Sequence, residues 1–277
     1  MAGNSACNPQ LLLSHKFPEA TYTYTERDVA VYALGVGACG RDAVDTDELK
    51  YVHHENGLQF IKVLPTFSTL FTLNSLPRGA DLPGLEFDPR LLLHGQQYIE
   101  IYKPLPSNAT IQNKVSLAGL HDKGKAAILE IETRSYEKES GELLSMNRTS
   151  IFLRGAGGFS DPSKPFTYTN YPANQAPTIK IPESQPFAAF EDCTQPSQAC
   201  SILALLYRLS GDYNPLHSDP MIAKVAGIQM NVEVQINERK SDIGVTLCRV
   251  LYRVKAKERN RAVLSGYVHL NGLASSL

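Results

Sequence analysis

Residues 211 to 220 read GDYNPLHSDP. They place a carboxylate (Asp212), an amide (Asn214) and an imidazole (His217) within six residues, stiffened by Pro215 and closed by Pro220. A carboxylate and a histidine that share one water or one substrate proton can do general acid–base work, provided both lie within hydrogen-bond reach. Gly211 and the prolines work against a regular helix here, and the spacing permits such sharing in a tight loop. The same residues also suit an Asx-turn, with Asp212 and Asn214 bonded to local backbone and His217 packed as a polar edge residue. On spacing alone both readings stand.

Other stretches offer less. GVGACG, residues 35 to 40, matches G-x-G-x-x-G, but a phosphate-binding turn of that kind follows a strand and opens an apolar helix. Here a helix is predicted before it, and the charged RDAVDTDELK follows. A flexible helix exit is the better reading. G-x-S-x-G is absent, so no nucleophile elbow is visible. His53, His54 and Glu55 lack the H-E-x-x-H spacing and read as a polar loop.

The elements that must position the motif fall into two similar halves. Thr25 with Asp28 three residues later forms a capping-box pattern ahead of VAVYAL, which predicts a helix from about Glu26. QQYIEIYKP, TIQNKVSLAGL, KAAILEIETRSYE and LLSMNRTSIFLRG then alternate as strands. Turn residues Pro104 to Asn108, Asp122 to Gly124 and Ser140-Gly141 separate them, and the pattern predicts an antiparallel meander. After the motif come MNVEVQINE, GVTLCRVLYRVKAK and RAVLSGYVHLNG, again alternating. Between Phe159 and Phe187 stand six of the 17 prolines, which reads as a linker. The expected boundaries are 1–158, a linker at 159–187, and 188–277. A helix-bearing segment followed by an antiparallel sheet, written twice, implies an α+β architecture with an internal duplication.

Composition narrows the function classes. Twenty-seven basic residues against 28 acidic ones leave a net charge of −1, so no global field favours nucleic acid or an anionic membrane surface. The N-terminus has neither the basic start nor the apolar core of a signal peptide, and no stretch approaches 18 apolar residues, so neither secretion nor membrane spanning is expected. Five cysteines at unrelated spacings, with no C-x-x-C pair, read as reduced thiols in an intracellular compartment.

YRLSGDYNPLHSDPMIAKVAG, Tyr207 to Gly227, resembles the hydratase 2 motif of the MaoC-like, R-specific 2-enoyl-CoA hydratases of peroxisomal β-oxidation. ERDVAVYALGVGA, LPTF, LLLHGQQYIEIYKPLP, KGKAA and FLRGAG are similar to the plant members of that family, so the likeness covers residues 8 to 227 and 250 to 277. The resemblance implies a double hot-dog fold, each half wrapping a sheet round a helix. The first half would accommodate the acyl chain and the second would carry the chemistry. It implies Asp212 and His217 as the catalytic pair, with Tyr213, Asn214, Pro215 and Leu216 between them contacting substrate. His94 and Gly95 match a ligand-contact dipeptide, and Lys123 matches a lysine that meets the CoA portion, as suits a point cation facing a phosphate. No metal or redox cofactor is implied. The tail Ser275, Ser276 and Leu277 is one substitution from the S-K-L peroxisomal address. The expected partners are an acyl-CoA substrate and a peroxisomal import receptor, with a homodimer admitted and neither nucleic acid nor membrane.

The chain departs from the family after Gly227. There the family continues through AG-F-x-x-P-I-L-H-G into the central helix of the second hot dog, whereas Ile228 leads almost at once into MNVEVQINE, and CSILA (Cys200 to Ala204) reads as an insertion. The second hot dog is therefore expected to be incomplete, its central helix missing. The leading reading is an enoyl-CoA hydratase, a hydro-lyase. Its competitor is a non-catalytic acyl-CoA-binding protein or an unstable splice or gene-model variant of that enzyme, and a thioesterase stands third because the hydratase motif is present in full.

Overall fold

The Thr25–Asp28 pair does what its spacing predicts. In a computed structural model of the chain, the Asp28 carboxylate accepts from the Thr25 backbone N–H at 2.8 Å and from its hydroxyl at 2.9 Å. Helix α2 (Glu26–Gly35) starts there and buries Val29, Tyr32 and Ala33. The structure describes residues 7–40, 42–73, 82–88, 91–175, 188–193, 205–206, 208–211, 213, 231–241, 247–256 and 261–271. The chain divides into two units: Met1–Tyr171 with Leu206–Tyr213, and Pro172–Leu205 with Asn214–Leu277.

In the first unit, short helices α1 (Pro9–Ser14), α3 (Thr46–Leu49) and α4 (Leu70–Leu73) accompany α2. The strands are β1 (Ala20–Tyr24), β2 (Leu92–Ile101), β3 (Ala109–Asp122), β4 (Ala126–Glu137), β5 (Leu143–Arg154) and β6 (Thr167–Thr169). The sheet order is β1-β3-β4-β5-β2, with β6 pairing β3, and every pairing is antiparallel. The expected meander therefore holds only for β3-β4-β5. Strand β2 pairs β5, not β3. The connection after β2 is packed instead of forming a tight hairpin: Leu105 is buried, Pro106 accepts from the Tyr24 hydroxyl at 2.8 Å, and the Ser107 hydroxyl donates to the Gln59 carbonyl at 2.8 Å.

Alternation along the strands gives the sheet two different faces. One carries Ile111, Asn113 and Leu117 of β3, in register with Glu137, Ser135 and Ile131 of β4. Against its β1 end pack Val29 and Tyr32 of α2, Phe67 of the 3-10 turn Pro65–Thr69, and Leu70 and Phe71 of α4. Phe67 meets Tyr24 and Tyr32 edge-on at 4.9 and 5.3 Å between ring centroids. Helix ends leave carbonyls without intrahelical partners, and buried amides of the sheet meet them. Asn113 Nδ2 donates to the Phe71 carbonyl at 2.6 Å and Asn147 Nδ2 to the Ser68 carbonyl at 3.1 Å. At the other end α1 closes a second cluster containing Leu12, Leu85, Leu120, Leu129 and Leu153.

The opposite face holds a buried ionic group. Arg148 donates to Glu132 at 2.7 Å and lies 3.5 Å from the Tyr171 ring centroid. The Tyr171 hydroxyl donates to Glu130 at 2.7 Å, as does the Ser150 hydroxyl at 2.9 Å. Residues 159–171, read as the start of a linker, are thus part of this unit: Phe159 and Phe166 pack on its core and β6 pairs β3.

The second unit contains β7 (Ala188–Cys193), β8 (Asn231–Ser241), β9 (Leu247–Ala256) and β10 (Arg261–Asn271), an antiparallel meander in the order β10-β9-β8-β7. The three strand runs read after the motif are β8, β9 and β10. Strand β7 carried no strand prediction. No helix among the described residues is long and apolar enough to cross a membrane.

Candidate active site

The motif enters through a helical turn. Ser210 N–H donates to the Leu206 carbonyl and Gly211 N–H to that of Arg208, both at 3.1 Å. Gly211 then takes φ +126°, a conformation that residues with a Cβ rarely adopt, so glycine is required at this reversal. Arg208 Nη1 donates to the Tyr213 carbonyl at 2.7 Å, and its guanidinium lies 5.1 Å from the Tyr213 ring centroid. Asp212, Asn214, Pro215, Leu216 and His217 lie outside the described residues, as do Ser275, Ser276 and Leu277.

Beside this turn is a cavity of about 220 Å3. Tyr22 and Thr23 of β1, Asp28 of α2, Leu70 and Leu73 of α4, and Leu209, Ser210, Gly211 and Tyr213 line it. Burial, reinforced by the charge of Asp28 and the proximity of Tyr213, pushes the Tyr22 phenol up to about 12. At neutral pH it is therefore a hydrogen-bond donor beside a leucine wall.

His94 and Gly95 stand at a bulge where β2 pairs β5. Bulges re-aim side chains, and His94 is exposed, with Nε2 3.1 Å from Gln97 Oε1. Gln97 passes the contact inward. It accepts from the Thr149 hydroxyl at 3.0 Å and donates to Asn147 Oδ1 at 3.2 Å, so a polar chain runs from His94 to the buried amide that holds Ser68. Gln97, Thr149 and Asn147 escaped sequence reasoning. Their only signal was a polar residue on an otherwise core-facing strand position.

Lys123 is exposed in the β3–β4 turn, where its N–H donates to the Ala126 carbonyl at 2.8 Å. Beneath it the buried Asp122 carboxylate accepts from the N–H groups of Gly124, Gly158 and Ser160 and from the Ser160 hydroxyl, at 2.7 to 2.9 Å. Burial alone would raise this carboxyl, but the four donors outweigh it and hold it below its ordinary value. A Cβ at Gly157 would fall 2.3 Å from the Ala126 carbonyl oxygen, so only glycine lets the 155–158 loop back the turn this closely. The registers bring His94, Gly95 and Lys123 to one end of the sheet, since Ile151 pairs His94 and Arg154 pairs Ala126. Tyr213 lies towards the other end, beside Tyr22, which pairs Ile111 at the start of β3. At ~3.3 Å per residue, β3 separates the two ends by about 35 Å.

GVGACG is the exit of α2, as expected: it follows a helix, and the next helix begins only at Thr46. His54 Nδ1 accepts from the Asn56 N–H at 3.2 Å within its own loop.

Comparison with known proteins draws these elements together. Residues 22–155, from within β1 to just past the end of β5, match the family model of the MFE-2 hydratase 2 N-terminal domain. Over 310 aligned positions, covering 99% of both chains, the sequence is 57% identical to the enoyl-CoA hydratase 2, peroxisomal, of Arabidopsis thaliana. The chain belongs to the enoyl-CoA hydratase 2 family. It is also 37% identical to the peroxisomal multifunctional enzyme type 2 of Mus musculus over 219 residues, which are 78% of this hydratase 2 chain and 27% of the mouse protein. Solved structures bear out the hot-dog fold. The MaoC-like dehydratase from Phytophthora capsici superposes with a TM-score of 0.70 at 22% identity, over 96% of this chain and all of that one (100%). Full-length peroxisomal multifunctional enzyme type 2 from Drosophila melanogaster gives 0.66 at 23% identity, over 92% of this chain and 48% of that one. The Arabidopsis alignment has more positions than this chain's 277 residues, so that hydratase 2 carries sequence with no counterpart here.

Proposed function

We propose that this chain is an R-specific 2-enoyl-CoA hydratase of peroxisomal fatty-acid β-oxidation, converting trans-2-enoyl-CoA reversibly to (3R)-3-hydroxyacyl-CoA. The observation that carries the reading is 57% identity across 99% of the chain to a protein named enoyl-CoA hydratase 2, peroxisomal. In the reaction Asp212 and His217 position one water and take a proton from it. Its oxygen bonds to C3 of the enoyl thioester, and a proton is delivered to C2 on the same face, so the atoms of one water are added across the double bond. Negative charge develops on the thioester oxygen and calls for preorganised donors. These are proton transfers and one addition, so the proposal includes no cofactor. Lys123, His94 and Gly95 stand about 35 Å of strand away from Tyr213, beyond the reach of one CoA thioester held at the motif, so no contact with it is assigned to them; Ser275, Ser276 and Leu277 would be read by an import receptor.

The test is to incubate the purified full chain with trans-2-enoyl-CoA and resolve the product's configuration. Changing Asp212 or His217 to Ala is expected to lower turnover at least ~100-fold, the scale of acid–base residues. The alignment positions missing from this chain favour a second reading, an acyl-CoA-binding protein without catalysis. Tight binding with no hydration by the unmodified chain would establish that alternative, and an S product would overturn the stereochemical assignment.

A further inference from the structure

The cavity between β1, α2, α4 and the turn at Leu209–Tyr213 has one charged lining residue among the described residues. Leu70 and Leu73 of α4, with Leu209, give it an apolar wall, and Tyr22, Thr23, Ser210 and Tyr213 add hydroxyl-bearing side chains. Asp28 supplies the charge. That carboxylate is fixed in place, because its Oδ2 accepts both bonds of the α2 capping box, from the Thr25 N–H at 2.8 Å and the Thr25 hydroxyl at 2.9 Å. Its field is felt inside the cavity: burial raises the Tyr22 phenol first, and the charge of Asp28 raises it further. The Arg208 guanidinium lies 5.1 Å from the Tyr213 ring centroid, but Arg208 is not one of the lining residues. An apolar chain gains by covering the leucines. An anion brought beside a fixed carboxylate meets repulsion, which partly desolvated walls strengthen. A pocket can thus choose between two ligands of the same shape by repelling one of them.

We propose that Asp28 is a specificity-determining residue of the hydratase: the cavity receives the apolar end of the acyl chain, and Asp28 turns away chains that end in a carboxylate. This deepens the hydratase reading and rests on it, since Gly211 and Tyr213, the sequence neighbours of Asp212, line the same cavity. The substrate class is the 2-enoyl thioesters of monocarboxylic acids. Thioesters of dicarboxylic acids, which carry a second carboxylate at the far end, are poor substrates.

The experiment compares a medium-chain trans-2-enoyl-CoA with its ω-carboxy analogue of equal length, using the full chain, Asp28→Asn and Asp28→Glu. The unmodified chain is expected to show a kcat/KM ~10- to 100-fold higher for the substrate that ends in a methyl group. Asp28→Asn, which keeps an oxygen to accept the Thr25 bonds, should raise kcat/KM for the ω-carboxy substrate at least ~10-fold, chiefly through KM. A gain on one substrate cannot come from damaged folding. Asp28→Glu, which keeps the charge, should retain most of the discrimination. Melting-temperature shifts produced by the two corresponding saturated acyl-CoAs read the same preference as binding, without turnover. Equal kcat/KM for the two substrates, a preference for the ω-carboxy one, or a ratio unaltered in Asp28→Asn would overturn the proposal. If the unmodified chain hydrates no enoyl-CoA, the hydratase reading falls, while the melting shifts still decide whether Asp28 selects the chain end.

Discussion

Asp122 shows how a buried carboxylate can hold a turn in place through hydrogen bonds alone. Four donors from Gly124, Gly158 and Ser160 converge on it, tying the Lys123 turn to the loop after β5. Its carboxyl is held below the ordinary 3.8. Glu130 is likewise held below 4.5, because bonds from His121, Tyr171 and Ser150 outweigh the cost of burial. A folded-state pKa below the unfolded value means stabilisation that is complete above the unfolded pKa and is lost as pH falls through the folded one. Replacing Asp122 by Asn preserves shape but substitutes a donor for an acceptor. It is expected to destabilise the chain at pH 7 by about 2 to 3 kcal/mol, lowering the melting temperature by roughly 5 to 10 °C. The difference from the unmodified protein should shrink at pH 3, below the ordinary carboxyl value, because there proton uptake by the unfolded chain already favours unfolding, and it should vanish only as pH falls through the lowered folded value. Thermal unfolding followed by circular dichroism at both pH values checks this, and a pH-independent difference would remove the charge from the explanation.

At the scale of elements, the second unit poses the sharpest question. Three of its four strands, β8, β9 and β10, are the alternating runs the sequence predicts, and only three residues separate Gly227 from β8, where the resemblance leads one to expect a central helix. Such a helix buries about half a dozen large apolar side chains, each contributing roughly 1.5 to 3 kcal/mol, and the Arabidopsis relative has sequence that finds no match in this chain. Inserting that unmatched segment after Gly227 is expected to raise both the melting temperature, by about 10 °C or more, and the hydratase rate. Equal melting temperature and equal rate in the two proteins would show that the second sheet needs no such helix.

For the whole molecule, relatives named peroxisomal point to that compartment. The proposed address, Ser275-Ser276-Leu277, has Ser where the S-K-L signal has Lys. A fluorescent protein fused at the N-terminus is expected to collect in peroxisomes, and deletion of these three residues to leave it in the cytosol. Cytosolic fluorescence with the tail intact would defeat the tail's role and leave the hydratase reading standing.

What could be read from the sequence was local in origin. The α2 start rests on two residues three apart, the long strands on a period of two, and the motif on a single decapeptide; each signal lies within one segment and survives without knowledge of the rest. The placement of β2 beside β5 was not legible, because sheet order depends on which strands meet after the chain has turned back, and Pro104 to Asn108 marks a turn without saying how far it crosses. The same holds for the buried polar residues of the first unit. Asn113 serves Phe71, 42 positions away, Asn147 serves Ser68 across 79 positions, and Asp122 serves Ser160 across 38. Nothing near an asparagine in an alternating strand shows which carbonyl it will meet. Likewise prolines 162 and 165 suggested a free linker, whereas Phe159, Phe166 and Tyr171 bring that segment onto the first unit. Segment identity follows from local backbone preference and periodicity; the partner of a buried polar group follows from the packed fold, since only there does leaving it unbonded cost free energy.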